Sequence, residues 1–102
     1  NLSSWATAGD LVFDLKVNSL AAGAKLLIKM DSGWPSVSDV EATLPATGTW
    51  GQYRISVANL IARGNSIQPG AANLASISNI FVVEPTAAMD VSFDNVRLEV
   101  PQ

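Results

Sequence analysis

Three tryptophans, Trp5, Trp34 and Trp50, stand out in a chain where aromatic residues make up only 7%. Trp34 lies in Asp31-Ser32-Gly33-Trp34-Pro35-Ser36, between a flexible glycine and a rigid proline. A short loop of this kind cannot readily bury so large a ring. A stiff, half-apolar indole held open suits stacking on the C–H face of a sugar ring, with the hydroxyls left to bond at the edges. The alternative is an indole folded back as a lid on the end of the domain. Trp5, among small and polar residues, reads either as a second exposed ring or as the anchor of the N-terminal segment. Trp50 opens a strand after a glycine-containing turn, where a large ring can pack over an edge.

Polar residues supply the second half of such a site. Asp14, Lys16, Lys25, Lys29, Asp31, Gln52 and Arg54 alternate with apolar neighbours and fall on outward faces. If their strands are adjacent, they form one hydrogen-bonding surface whose carboxylate, amide and guanidinium groups match sugar hydroxyls. The expected carbohydrate contacts are Trp34, Trp5 and Trp50, with Asp31, Lys29, Gln52 and Arg54. For each polar residue taken alone, an ordinary solvated sheet face is the plainer reading.

Glycoside hydrolysis would need two carboxylates about 5–10 Å apart. Candidates are Asp31 with Asp39, Asp39 with Glu41, and Glu84 with Asp90. A chain this short offers little room for an enclosed, water-excluding cleft, so solvated surface acids are expected and catalysis is not. Asp90, Asp94 and Asn95, with Asp10 or Asp14, are oxygen donors of the type calcium takes. No Asp-x-Asp-x-Asp-Gly loop accompanies them.

Composition excludes much else. The 102 residues contain no histidine and no cysteine. Ser-His-Asp and Cys-His catalysis, thiolate or imidazole zinc sites, the usual haem and iron–sulfur ligands, and disulfides are therefore ruled out. A formal charge of −3 does not favour a nucleic-acid backbone as partner. The apolar runs are too short for a membrane-spanning helix. The first residue is Asn1 rather than Met, which suggests processing or excision from a larger protein.

These residues must be positioned by strands, because the dominant hydrophobic period is two. Leu11, Phe13, Leu15 and Val17 alternate over 11–18; Leu26, Ile28 and Met30 over 25–31; Tyr53, Ile55 and Val57 over 52–57. Residues 77–84 have a continuous apolar centre and read as a more central strand. A last strand spans 89–100, with Asp94-Asn95 interrupting it like a bulge or bend. Residues 57–63 fit one or two helical turns ending at Gly64. Short strands with turn signals between them and no long helix predict a single all-β antiparallel sandwich over 1–102.

Three stretches resemble β-sandwich modules of the galactose-binding-like, jelly-roll type. They are Gly9-Asp10-Leu11-Val12-Phe13-Asp14-Leu15-Lys16-Val17, Trp50-x-x-Tyr53-Arg54-Ile55-Ser56-Val57-x-x-Leu60 and Val91-Ser92-Phe93-Asp94-Asn95-Val96-Arg97-Leu98. The chain is similar to the ExoP-type domain C-terminal to family 3 β-glucan glucohydrolases, and to carbohydrate-binding module family eighty-one. The resemblance implies a non-catalytic module that binds β-glucan and is joined to a secreted glycoside hydrolase catalytic domain; mild acidity and the inferred processing fit an extracellular bacterial protein. It also implies a structural calcium near Asp94; no cofactor is expected to be required. Neither a nucleic acid nor a membrane is expected as partner. The rival expectations are a protein-docking sandwich without sugar affinity and a small hydrolase using an acid pair.

Overall fold

The computed structural model describes residues 1–100 and is an antiparallel β-sandwich of two three-stranded sheets. The strands are β1 (Asp10–Leu20), β2 (Leu26–Asp31), β3 (Val37–Glu41), β4 (Trp50–Ser56), β5 (Asn79–Pro85) and β6 (Met89–Glu99). One sheet has the order β4-β1-β6 and the other β3-β2-β5, so β1 and β2 are the two central strands.

Alternation accounts for the core. Leu11, Phe13, Leu15, Leu26 and Ile28 are buried between the sheets, with Tyr53, Phe81 and Phe93 packed against them. Phe13 is the hub. Its ring stacks on Tyr53 at 5.4 Å and meets Phe81 and Phe93 at 5.2 and 6.0 Å. Burial pushes the Tyr53 phenol above its ordinary pKa, and its hydroxyl donates to the Thr43 carbonyl. A smaller cluster of Met30, Leu60 and Ala72 fills the end nearest the helix α1 (Val57–Arg63).

That helix forms where expected, because its ends are well specified. The Ser56 hydroxyl caps the start by accepting from the Asn59 amide, and Gly64 closes the end at φ 65°, a conformation that favours glycine.

Two expectations change. The apolar run in 77–84 forms an edge strand, not a central one. β5 pairs only with β2, through a register shift between Lys29 and Asp31. Phe81 and Val83 supply its inward contacts, and none of its residues is fully buried. A short strand, β3, also appears where no strand was expected. Its sequence, Val-Ser-Asp-Val-Glu, holds only two apolar residues, too few to mark an alternation.

The interruption at Asp94-Asn95 is a bulge. The β1–β6 register shifts between Val12 and Asp14, and Asn95 takes φ 51°.

Candidate functional site

The outward face of the β4-β1-β6 sheet is built row by row from the register. Trp50 stands opposite Lys16, which faces Ser92 on its other side. Gln52 stands opposite Asp14, and Asp14 faces Asp94. Next come Arg54, Val12 and Arg97, then Ser56, Asp10 and Glu99. Period two sets this placement, because Tyr53 and Ile55 take the inward positions of β4 and leave Trp50, Gln52 and Arg54 outside.

The two halves of this face behave differently. In the lower half, Arg54 pairs with Asp10 at 3.0 Å and with Glu99, and Arg97 pairs with Glu99 at 2.7 Å. The Arg97 and Arg54 hydrogen bonds hold the Glu99 carboxyl below its ordinary range, and Glu99 followed by Asp10 keeps Arg54 firmly charged. Beneath this network Val12 has no exposed surface although it points outward. Both of its register partners are arginines bonded to Glu99, so their aliphatic stems roof it.

The upper half is open. Trp50, the first residue of the edge strand β4, is 50% exposed. Gln52 is exposed beside it, and Lys16 has no ion-pair partner among the described residues. At the bulge, the Asn95 side-chain amide donates to Asp14 Oδ2 at 2.7 Å, and the Asn95 backbone N–H donates to Asp94 Oδ1 at 2.8 Å. Bulges commonly re-aim a side chain in this way. The arrangement offers a flat apolar plate edged by an amide, an ammonium and carboxylate oxygens.

The other expected contacts lie elsewhere. Lys29 and Asp31 are on β2, in the opposite sheet, so they cannot join Gln52 and Arg54 in one surface. Alternation shows which residues face outward but not which sheet they belong to. Lys29 is only 7% exposed and is ion-paired with Glu84 at 3.2 Å, which removes it as a ligand contact. Asp31 accepts from the Gly33 amide at 2.7 Å and from Asn79 Nδ2 at 3.2 Å, bracing the hairpin and the start of β5. Arg54 shares a face with Trp50 but is held in the ion-pair network.

Trp34 is 56% exposed and sits on the β2–β3 hairpin, at the other end of the strands from Trp50. A seven-residue strand spans about 20 Å, so the two indoles cannot stack on one sugar. Ser32 Oγ donates to the Ser36 carbonyl and accepts from the Asn73 amide, and Asn65 Nδ2 donates to the Pro35 carbonyl. The polar groups around Trp34 thus hold its loop. Trp5 closes a one-turn 3-10 helix (Ser3–Trp5) and packs over Gly9, where any Cβ would overlap its ring. It anchors the N-terminal segment.

The acid pairs considered for hydrolysis are engaged structurally. Asp39, 3% exposed, accepts from the Ser66 amide and hydroxyl at 3.1 and 2.9 Å. Glu41 pairs with Lys25, and Glu84 with Lys29. Of the expected calcium ligands, Asp14, Asp94 and Asn95 are neighbours and Asp90 lies apart from them. Asp90 and Asp94 are four residues apart on one strand, about 13 Å, whereas calcium needs its oxygens within about 2.6 Å of a common centre. Asp90 accepts from Asn18, and Asn95 donates to Asp14. Among the described residues no group of three or more acidic side chains could hold a metal ion.

No protein-family model, curated protein or solved structure matches this chain.

Proposed function

We propose that this domain is a non-catalytic carbohydrate-binding module that holds a β-glucan chain on the outward face of the β4-β1-β6 sheet. One observation carries the reading: a half-exposed Trp50 shares that face, within one or two register positions, with Lys16, Gln52, Asp14 and the bulged Asn95. The indole stacks on one glucose ring, and the neighbouring side chains bond its hydroxyls. The plate is built on strands, so little ordering entropy is lost on binding.

Joined to a glycoside hydrolase in a secreted protein, such a module acts by raising the local concentration of substrate. Calorimetry of the domain with cello-oligosaccharides and soluble mixed-linkage glucan tests the reading. Saturable binding is the expected result, with no reducing ends released in a parallel assay. Absence of heat and of retention at millimolar sugar would overturn it.

A protein-docking role draws on a different observation. Trp34 and Ile67 are both exposed, on loops joined through the Asn65–Pro35 bond. A docking domain would bind no sugar in the same calorimetric experiment.

A further inference from the structure

We infer that the bound glucan runs across the strands rather than along them, and that Asn18 and Ser92 form a further subsite on the β6 side of the face. This rests on the glycan-binding reading above and specifies how that ligand lies.

The β1–β6 ladder slips twice, and the two slips leave an asparagine on either side of the Lys16–Ser92 row. One is the bulge at Asn95. The other lies between Val17 and Ser19: Val17 faces Val91 and Ser19 faces Asp90, so Asn18 is left without a register partner. The exposed Asn18 side-chain amide reaches across to β6, donating to Ser92 Oγ at 3.0 Å and to Asp90 Oδ1 at 3.3 Å. Those bonds orient both side chains and leave part of their capacity unused. Among the described residues Asn18 Oδ1 accepts no hydrogen bond, and the Ser92 hydroxyl, which accepts from Asn18, donates to none. A free acceptor and a free donor thus stand side by side, which matches the dual character of sugar hydroxyls.

The register puts Trp50, Lys16 and Ser92 in one row across β4, β1 and β6. Strands lie about 4.8 Å apart, so Trp50 and Ser92 are separated by roughly 10 Å. A β-glucan advances by roughly one such spacing, about 5 Å, per ring. With one ring on the indole, the next lies over the Lys16 ammonium, which has no ion-pair partner among the described residues, and the third reaches Asn18 and Ser92. Both ends of the row are edge strands, so the chain leaves the face without meeting another strand.

The path along β1 is different. Two rows below Trp50 it meets Arg54 and Arg97, already bonded to Asp10 and Glu99. Charge-assisted pairs are stronger than bonds between neutral groups, so a sugar hydroxyl does not displace them. The crossing path is the one whose polar groups are unoccupied.

Calorimetry with cellobiose, cellotriose and cellotetraose tests this. Cellobiose extends only from Trp50 to Lys16, so wild-type affinity is expected to rise at the third ring, by about fivefold or more, and to change little at the fourth. Asn18→Ala combined with Ser92→Ala is expected to cut that rise to less than about twofold. Arg97→Gln, in the closed half, is expected to keep the rise in full. Thermal melts establish that the variants are folded, and the wild-type series is decisive without them.

Equal wild-type affinity for all three oligosaccharides would overturn the crossing path. So would a folded double variant that keeps the whole rise, or loss of the rise in Arg97→Gln alone, which would lay the chain along β1. Each of these leaves the glycan-binding reading in place. Absence of binding by every oligosaccharide and by soluble β-glucan would overturn that reading, and the subsite with it.

Discussion

Trp50 and Trp34 are exposed to nearly the same degree, 50% and 56%, yet their surroundings differ in kind. Trp50 lies on a sheet face, one or two register positions from Lys16, Gln52 and Asp14. Trp34 lies on a hairpin loop braced by Ser32 and Asp31 of the hairpin and by Asn65 from the loop after α1. A sugar stacked on either ring gains dispersion and displaces water. Among the described residues, Trp50 has the larger set of neighbouring groups left available to fix its orientation. Exposure of an aromatic ring is therefore a weak guide by itself, and the hydrogen-bonding state of its neighbours discriminates better.

Trp50→Ala is the change with the largest expected effect. Stacking of this type is worth about 1–3 kcal/mol, so affinity for β-glucan should fall by roughly 5- to 150-fold. The indole supports nothing in the core, so the unfolding midpoint should move by no more than about 4 °C. Calorimetry beside a thermal melt checks both. Undiminished binding by a folded variant would remove Trp50 from the site.

Gln52→Ala comes next, because it deletes a polar contact and leaves the plate intact. One hydrogen bond is worth about 0.5–1.5 kcal/mol, so a loss of roughly 2- to 12-fold is expected at unchanged stability. If the loss matched that of Trp50→Ala, hydrogen bonding would contribute as much to affinity as stacking does.

How much of this contrast was legible in the sequence depends on which link is asked for. Alternation located β1, β2, β4 and β6 and marked Gln52 and Arg54 as outward, whereas Trp50 read as a ring packed over an edge. The bulge at Asp94-Asn95 and the helix up to Gly64 were legible too, since both follow from local turn and capping chemistry. Sheet membership was not, because a period of two says nothing about which strands pair. Lys29 and Gln52 look equivalent in sequence, yet they end in opposite sheets, one buried against Glu84 and one exposed. Trp34 drew attention through its Gly and Pro neighbours, which shape a loop but do not determine what stands beside the ring. The Asn95 contact to Asp14 joins residues 81 positions apart and becomes visible only in three dimensions.

The closed half of the face gives a pH test of the same contrast. The Glu99 carboxyl is held below its ordinary range by Arg97 and then Arg54. A depressed carboxylate contributes stability that is fully present above its unfolded value, about 4.3, and is lost as pH falls through the lower folded value. The melting temperature of the wild type should therefore decline below about pH 4.3, and Glu99→Gln should reduce that decline. The network is solvent-exposed, so the difference is small. Sugar binding at neutral pH should be unchanged in Glu99→Gln, because that residue lies three rows from Trp50. A marked loss of affinity would mean that the ion-pair network helps to shape the open half.

Trp34→Ala should have the smallest effect on sugar retention, under about twofold, because a ring without available polar neighbours leaves a sugar unoriented. The hairpin should keep its form, since its bracing runs through Ser32 Oγ, Asp31 Oδ1 and the Gly33 carbonyl rather than the indole. A thermal melt within about 4 °C of the wild type would establish that the comparison is between folded domains. The informative arrangement is the pair of variants on one glucan. If Trp34→Ala abolishes retention and Trp50→Ala does not, the site lies at the hairpin end and the open half of the sheet face is ordinary solvated surface. If each variant loses part of the retention and the double variant loses the product, the two rings act on separate stretches of polysaccharide. Their placement near opposite ends of the strands already requires that, if both bind.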